Sequence, residues 1–414
     1  MLRIVPSTEA GRLLKRRAAR LAEAEQTVRP ILEDVRKRGD KALLEYARKF
    51  DGLTRRSVRI PERDLAAAAA ELAPEFKCAL ETASANIRAV AQLQMPREHV
   101  NEIAPGLRVG QIVRPLGAIA AYIPSGRYPL PSTLLMTAIP AQVAGVGRIC
   151  VASPRPVREI LGTAGMLGLS DVFQVGGAHA IAAFAYGTRT VPRVDRIVGP
   201  GSIYVTAAKK LLAGEVGIDF VAGPTEILII AASGDARVIA ADMLAQAEHD
   251  VEASAILLTT SKRLARAVAK QVEAQLAVLP TAPVARKAIA KNSAVILVRS
   301  LDEAVELANR FAPEHLSIAD ESLLPGITSA GGVFVGPHSP EAAGDYASGP
   351  NHVLPTSGAA RTRAGLSALD FVKIISVQQL DAAALARLAP AITTLARAEG
   401  LEAHARSVEV RTNG

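Results

Sequence analysis

The sequence predicts an α/β fold built on two Rossmann-like units with parallel sheets, and three observations carry that reading. Short apolar runs alternate with helical stretches of ten or more residues, the pattern of buried parallel strands covered by helices on both faces. Glycine-rich turns, "VGGAHAI" and "VGPGSIYV", join strand-like runs to helices. The chain has 414 residues, 49% apolar and 21% charged, more than one hydrophobic core normally supports.

In order along the chain, residues 1 to about 95 read as helices with little strand signal, and "GLRVGQIVRPLGAIAAYIP" then brings β-branched and glycine residues typical of strands and turns. A helix "STLLMTAIPAQVAGV" follows with Ser132 as its expected N-cap, then "RICVAS", a helical segment, "VFQVGG", a helix from Ala178, "RIVGPG" and a helix from Ser202. After "IDFVAGPTEILIIAAS" the alternation resumes: helix 237 to 249, strand "SAILLTT", helix 261 to 279, strand "AVILV", helix 301 to 312 and strand "GGVFVG". That is a second series of comparable size, hence two units. A Gly/Pro-rich loop, "GPHSPEAAGDYASGPNHVLPTSG", closes it, and the last fifty or so residues read as a small helical tail.

Composition excludes several classes. The net charge of +8 would suit nucleic acid, but basic and acidic residues interleave at helical spacing in the first sixty positions, as on solvated amphipathic helices. Aromatic residues are few and Trp is absent, so a single-strand stacking platform is missing. Cys78 and Cys150 lie far apart in apolar runs and are expected to be buried thiols in a reducing compartment. No apolar run suits a signal peptide or a membrane span, so a cytoplasmic protein without membrane or nucleic-acid partners is expected.

Polar residues set into these segments mark the candidate site. In "LAQAEHD", Gln246 and His249 lie three apart and can share one helix face, where they can hold a metal, a substrate or nothing. "RFAPEHLSI" places Glu314 beside His315, two groups able to act as bases that point different ways. "EAAGDYASGPNHV" carries Glu341, Asp345 and His352 on a loop, and "EGLEAH" carries Glu399 and His404, with a helix break expected after Gly400. Gln246, His249, Asp345 and His404 together make a donor set suited to zinc, although no H-E-x-x-H is present. His99 and His338 are expected to be structural or surface groups. Gly199 and Gly201 nearly satisfy the dinucleotide fingerprint, but Tyr204 stands at its third glycine.

The strings "AYIPSGRYPLPSTLLM", "VGGAHAIAAFAYGT", "VGPGSIYVTAAK", "GIDFVAGPTE", "DMLAQAEHD", "APEHL", "GDYASGPNHVLPTSG" and "EGLEAH" occur in one order, and on them the chain resembles the histidinol dehydrogenase family over about residues 25–411. The resemblance implies a zinc enzyme that ends histidine biosynthesis, oxidising L-histidinol to L-histidine with two NAD molecules in succession. It implies incomplete Rossmann-like domains, a small N-terminal helical segment 1–20, a first domain of 21–121 with 227–366 carrying most of the zinc and catalytic site, an NAD-binding domain 122–226, and a tail 367–414 exchanged across an intertwined homodimer. Gln246, His249 and Asp345 match metal ligands for one zinc per subunit, and His404 matches the ligand from the partner's tail. His315 matches the base for the alcohol and Glu314 the base that activates water. Thr225, His352 and Glu399 match substrate contacts beside Gln246, His249, His315, Asp345 and His404, with Ser132 and Glu341 as further candidates. Tyr122, His179 and Ser202 match cofactor contacts.

Three departures stand out: Thr225 where the family usually has serine, His179 where it has glutamine, and Ser202 where it has asparagine. The rival readings are a paralogous zinc/NAD enzyme acting on another small polar alcohol, such as a sulfonated diol, and a non-catalytic binding protein on the same scaffold. Retention of Glu399 and His352 argues against the first, and retention of Glu314 and His315 against the second.

Overall fold

The structure, a computed structural model, describes residues 2–13, 21–125 and 129–412. Residues 14–20 of the expected N-terminal segment and 126–128 of the "AYIPSGRYPLPSTLLM" string lie outside the described residues. In chain order the described residues form β1 (Arg3–Pro6), α1 (Ala10–Leu13), α2 (Leu21–Arg38), α3 (Asp40–Phe50), α4 (Glu62–Ala70), α5 (Pro74–Leu93), β2 (His99–Ala104), β3 (Leu107–Pro115) and β4 (Ala118–Tyr122). There follow α6 (Pro131–Val143), β5 (Arg148–Ser153), α7 (Arg158–Met166), β6 (Asp171–Gln174), α8 (Gly177–Tyr186), β7 (Arg196–Val198), α9 (Ile203–Leu212), β8 (Gly217–Ile218) and β9 (Glu226–Ile230). Then come α10 (Ala236–Ala247), β10 (Ser254–Thr259), α11 (Lys262–Leu276), α12 (Ala282–Asn292), β11 (Ala294–Leu297), α13 (Leu301–Phe311), β12 (His315–Ile318), β13 (Gly332–Val335), α14 (Glu341–Tyr346), β14 (Val372–Leu380), α15 (Ala382–Ala398) and α16 (Glu402–Thr412).

The α/β expectation holds. Two parallel sheets form the frame, a six-stranded one in the order β1-β11-β10-β9-β12-β13 and a five-stranded one in the order β6-β5-β4-β7-β8. All five residues of β9 are buried, and the apolar run that follows Glu226 needs cover on both faces, which crossover helices supply. A third sheet, β14-β3-β2, is antiparallel.

Several expectations are corrected. The N-terminal segment is not purely helical, because β1 runs parallel to β11 and forms an edge of the six-stranded sheet. The tail likewise opens with a nine-residue strand, β14. Val28, Leu32 and Val35 of α2 share a core with Ala120, Phe173 and Ile181, and Leu65, Leu80 and Ile87 share one with Ile119 and Val151. These helices bury their apolar stripes on the five-stranded unit. Ser132 is not an N-cap; Leu130 is, and Pro131 takes the first helical position, where its missing N–H costs nothing. Cys78 is exposed, and only Cys150 is buried.

Candidate active site

The site gathers where strands of the six-stranded sheet begin. Helix α13 ends at Ala312, a non-glycine residue in the left-handed region (φ 53°), a conformation that costs on the order of 1 kcal/mol and turns the chain directly into Pro313 and Glu314. Because β12 pairs with β9 in the register His315↔Ile227, Glu314 and His315 arrive beside Thr225 and Glu226. The buried Glu314 carboxylate accepts from the Thr225 hydroxyl at 2.5 Å and from the Glu226 amide at 2.9 Å. Burial raises its pKa, against the pull of His315, Thr225 and Glu226.

His315 is also buried, its ring 5.7 Å from that of Phe334. Nε2 lies 3.4 Å from Asp345 Oδ1, and Nδ1 lies 3.4 Å from the Glu226 carbonyl and 3.7 Å from the Glu314 carboxylate. Both ring nitrogens therefore face acceptors, an arrangement that a doubly protonated imidazole satisfies. Burial disfavours the charge, but Glu314, Asp345 and Glu341 outweigh it and lift the pKa to about 9.

Helix α10 delivers Gln246 in its last turn. The side chain is buried, and its amide nitrogen donates to Thr225 Oγ1, so Thr225 links Gln246 to Glu314. The helix stops at Ala247, two residues short of the expected end, and His249 lies exposed beyond it. It borders a cleft of about 460 Å³ that Ser132, Leu130 and Tyr346 also line. Asp345, on α14, feels His315, His352 and His249; burial acts to raise its pKa, and these neighbours bring it below the usual carboxylate value. His352 is held at both ring nitrogens, Nδ1 against the Asp345 carbonyl at 2.8 Å and Nε2 against Thr133 Oγ1 at 3.1 Å, so it ties α6 to the Asp345 backbone.

Two carboxyls beside this cluster carry more weight than sequence reasoning gave them. Glu341, one helical turn before Asp345, is 3% exposed, and neither of its oxygens has a hydrogen-bond partner. Burial first, and Asp242 second, push its pKa up to about 8. Burial takes Asp242, one turn before Gln246, to about 6. The spacing of four residues on each helix was the available signal for this pair.

Glu399 caps the end of α15 and Gly400 breaks the helix as expected, but Glu399 and His404 stay exposed on the tail. Among the described residues no group of three His, Cys, Asp or Glu side chains is arranged to hold a metal.

The five-stranded sheet brings the other set together at the opposite, carboxyl ends of its strands. Tyr122 ends β4, buried, and its hydroxyl accepts from the Gly177 amide at 3.1 Å; burial pushes its pKa up to about 12. Ser202 precedes α9 and is exposed. His179 points inward: it is 2% exposed and 2.8 Å from Asp51 Oδ2. No local pattern announces Asp51, which is 128 positions away in sequence.

A buried acid–base cluster on one parallel sheet and glycine-rich turns at the carboxyl ends of a second are features that an oxidoreductase can use. The histidinol dehydrogenase family model matches residues 14–412. The histidinol dehydrogenase of Geobacter sulfurreducens is 48% identical over 400 residues, covering 94% of this chain and 93% of that protein. That of Rhizobium meliloti is 46% identical, covering 93% and 91%. The crystal structure of the Elizabethkingia anophelis enzyme superposes with a TM-score of 0.96 at 37% identity, covering 100% of this chain and 98% of that one. The chain belongs to the histidinol dehydrogenase family, and membership implies oxidation of histidinol within histidine biosynthesis. Among the described residues no helix is long and apolar enough to cross a membrane.

Proposed function

We propose that the chain oxidises L-histidinol through L-histidinaldehyde to L-histidine in the cytoplasm, passing two hydrides in succession to NAD, with one zinc per subunit. We also propose a homodimer whose 367–414 tails are exchanged, so that Glu399 and His404 serve the partner's site. The observation that carries the reading is the Thr225 hydroxyl, which joins Gln246 to Glu314 while His315 faces Asp345. Both proposed bases and two proposed metal ligands thus share one buried network.

The donor set fits zinc. Gln246 spends an amide N–H on Thr225, which leaves its amide oxygen as the atom able to bind a cation. Asp345 is held ionised and His249 has an exposed ring. With His404 from a partner tail these make two imidazoles, a carboxylate and an amide oxygen around a divalent ion. Exposed Ile374, Ile375, Leu395 and Val410 on the tail support burial of that segment against another chain. Zinc, when bound, orients the substrate and NAD accepts the hydride.

The chain's own groups handle the protons. His315 loses part of the hold on its proton once Asp345 is committed elsewhere, and a ring nitrogen can then accept the alcohol proton. Glu314, buried and raised, takes the proton of the water that adds to the aldehyde, the second removal that the two-step oxidation requires. His352 and Thr225 position these groups, and Glu399 and Ser132 contact the substrate.

The test is NADH production from L-histidinol and NAD, before and after metal stripping and with zinc restored. Turnover to histidine that dies with the metal and returns with it supports the reading; zinc binding with histidinol untouched overturns the substrate. Mixing His404→Ala protein with Gln246→Ala protein, each inactive alone, should restore part of the activity if tails are exchanged, and none if each tail serves its own chain.

A further inference from the structure

The glycine-rich turn between the edge strand β6 and α8 presents the backbone amides of a helix start, groups able to seat a phosphate. Here two of those amides are already engaged. Gly176 N–H donates to Asp51 Oδ2 at 2.9 Å and Gly177 N–H to the Tyr122 hydroxyl at 3.1 Å. Asp51 is 3% exposed and His179 2%, and His179 Nε2 contacts the same Asp51 oxygen at 2.8 Å. The His179 ring lies 5.7 Å from Tyr46 and 6.0 Å from Phe50, between ring centroids.

The turn is also walled. A Cβ on Gly176 would stand 2.4 Å from Pro154 Cβ, and one on Gly177 would stand 3.2 Å from the His179 ring. Gly177 itself is left-handed, with φ +55°, a conformation that glycine adopts without steric cost. An internal carboxylate thus does at this helix start what a bound phosphate does elsewhere: it takes a backbone donor and sits at the positive end of the α8 dipole.

We propose that Asp51 and His179 form a positioning pair that fills this amide cradle with the chain's own anion, so that α8 shapes the cofactor crevice without gripping the cofactor's phosphates. This rests on the NAD reading above, and it gives His179 a different role from the direct contact expected at its position. The side chain faces the core, and its effect on the cofactor passes through Asp51 and the Gly176 amide.

The experiment compares equilibrium binding of NAD and of adenosine, which lacks phosphate, to the zinc-loaded protein and to its Asp51→Asn, His179→Ala and His179→Gln variants, with thermal melts to confirm folding. Loosening the turn should weaken both ligands by a similar factor, about tenfold, in Asp51→Asn and His179→Ala. His179→Gln, whose amide can still donate to Asp51, should restore most of it. Loss of NAD binding with adenosine binding unchanged overturns the proposal, because the turn would then hold phosphate directly. Unchanged binding of both ligands in folded Asp51→Asn overturns it as well. Failure of the unmodified protein to bind NAD while it binds adenosine overturns the NAD reading, and with it the role assigned to the pair. If His179→Ala does not fold, the Asp51→Asn and His179→Gln pair still decides.

Discussion

Glu341→Gln in the metal-free protein should flatten the fall of stability with rising pH. The carboxyl is buried without a hydrogen-bond partner, and its pKa rises from 4.5 to about 8 through burial and then through Asp242. Between those two values the folded chain holds a proton that the unfolded chain has released, so stability falls as pH rises across the window and is fully retained below 4.5. At 1.36 kcal/mol per unit, ionising the unfolded but not the folded carboxyl costs about 3 kcal/mol by pH 7. Glutamine has nearly the same shape and no charge to desolvate, so this dependence disappears with it. His315, raised to about 9, acts in the same direction above its ordinary value, which leaves the variant some residual slope. The assay is denaturant unfolding of EDTA-treated protein at several pH values from 5 to 8. Relative to wild type, the variant should gain about 2.5 kcal/mol between pH 5 and pH 7. Parallel curves would refute the buried-carboxyl argument.

Thr225→Val should leave Glu314 and Gln246 each short of a partner, costing roughly 1–3 kcal/mol per group and lowering kcat/KM, while Thr225→Ser should stay near wild type; equal kinetics for the two variants would remove the hydroxyl from the mechanism. His315→Ala should slow alcohol oxidation by about 10²–10⁴ yet spare oxidation of supplied histidinaldehyde, and Glu314→Ala should do the reverse; equal losses on both substrates would sink that division. Lys209→Met should cost about 3–5 kcal/mol in denaturant unfolding, because it strips the ion-pair partner from the buried Asp219, which also holds the Gly199 amide; a change under about 1 kcal/mol would show that the backbone donors to Asp219 suffice.

The parts of the fold legible in the sequence were those where burial overwhelms local ambiguity. "EILII" and "SAILLT" are buried along nearly their whole length, and an apolar run between helices has few other solutions. β1 was illegible because "RIVP" is short and ends in proline, and only its pairing with β11 makes it a strand. β14 was illegible for the opposite reason: six of its nine residues, the apolar Ile374 and Ile375 included, are exposed and none is fully buried, so no inward and outward alternation marks it. Candidate site residues could be identified by type, but not by direction. His179 turns inward because Asp51 waits behind it, and His249 is released from the helix because α10 stops at Ala247; neither fact has a local signature.

The two sheets meet the crevice with opposite ends, and this assigns them opposite electrostatics. On the five-stranded sheet, β4, β6 and β7 point their carboxyl ends at the crevice, so α8 and α9 begin there with positive dipole ends, the field that suits a polyanionic dinucleotide. On the six-stranded sheet the site lies where β9 and β12 begin, so it lies where α10 and α13 finish. Their negative ends favour positive charge there, and Glu314, Asp345 and Glu341 lift the His315 pKa to about 9 against its burial. The usual rule for open α/β sheets places ligands at carboxyl ends. The six-stranded sheet departs from it because its proposed tenants, a divalent metal and an amine-bearing substrate, are cationic. Reversing the sign at that edge is therefore the decisive perturbation. An added lysine at exposed Tyr346, which lines the cleft with His249, should weaken metal and substrate binding more than NAD binding, because the new positive charge stands beside the proposed cation sites. A comparable loss of NAD affinity would mean that the two edges share one field.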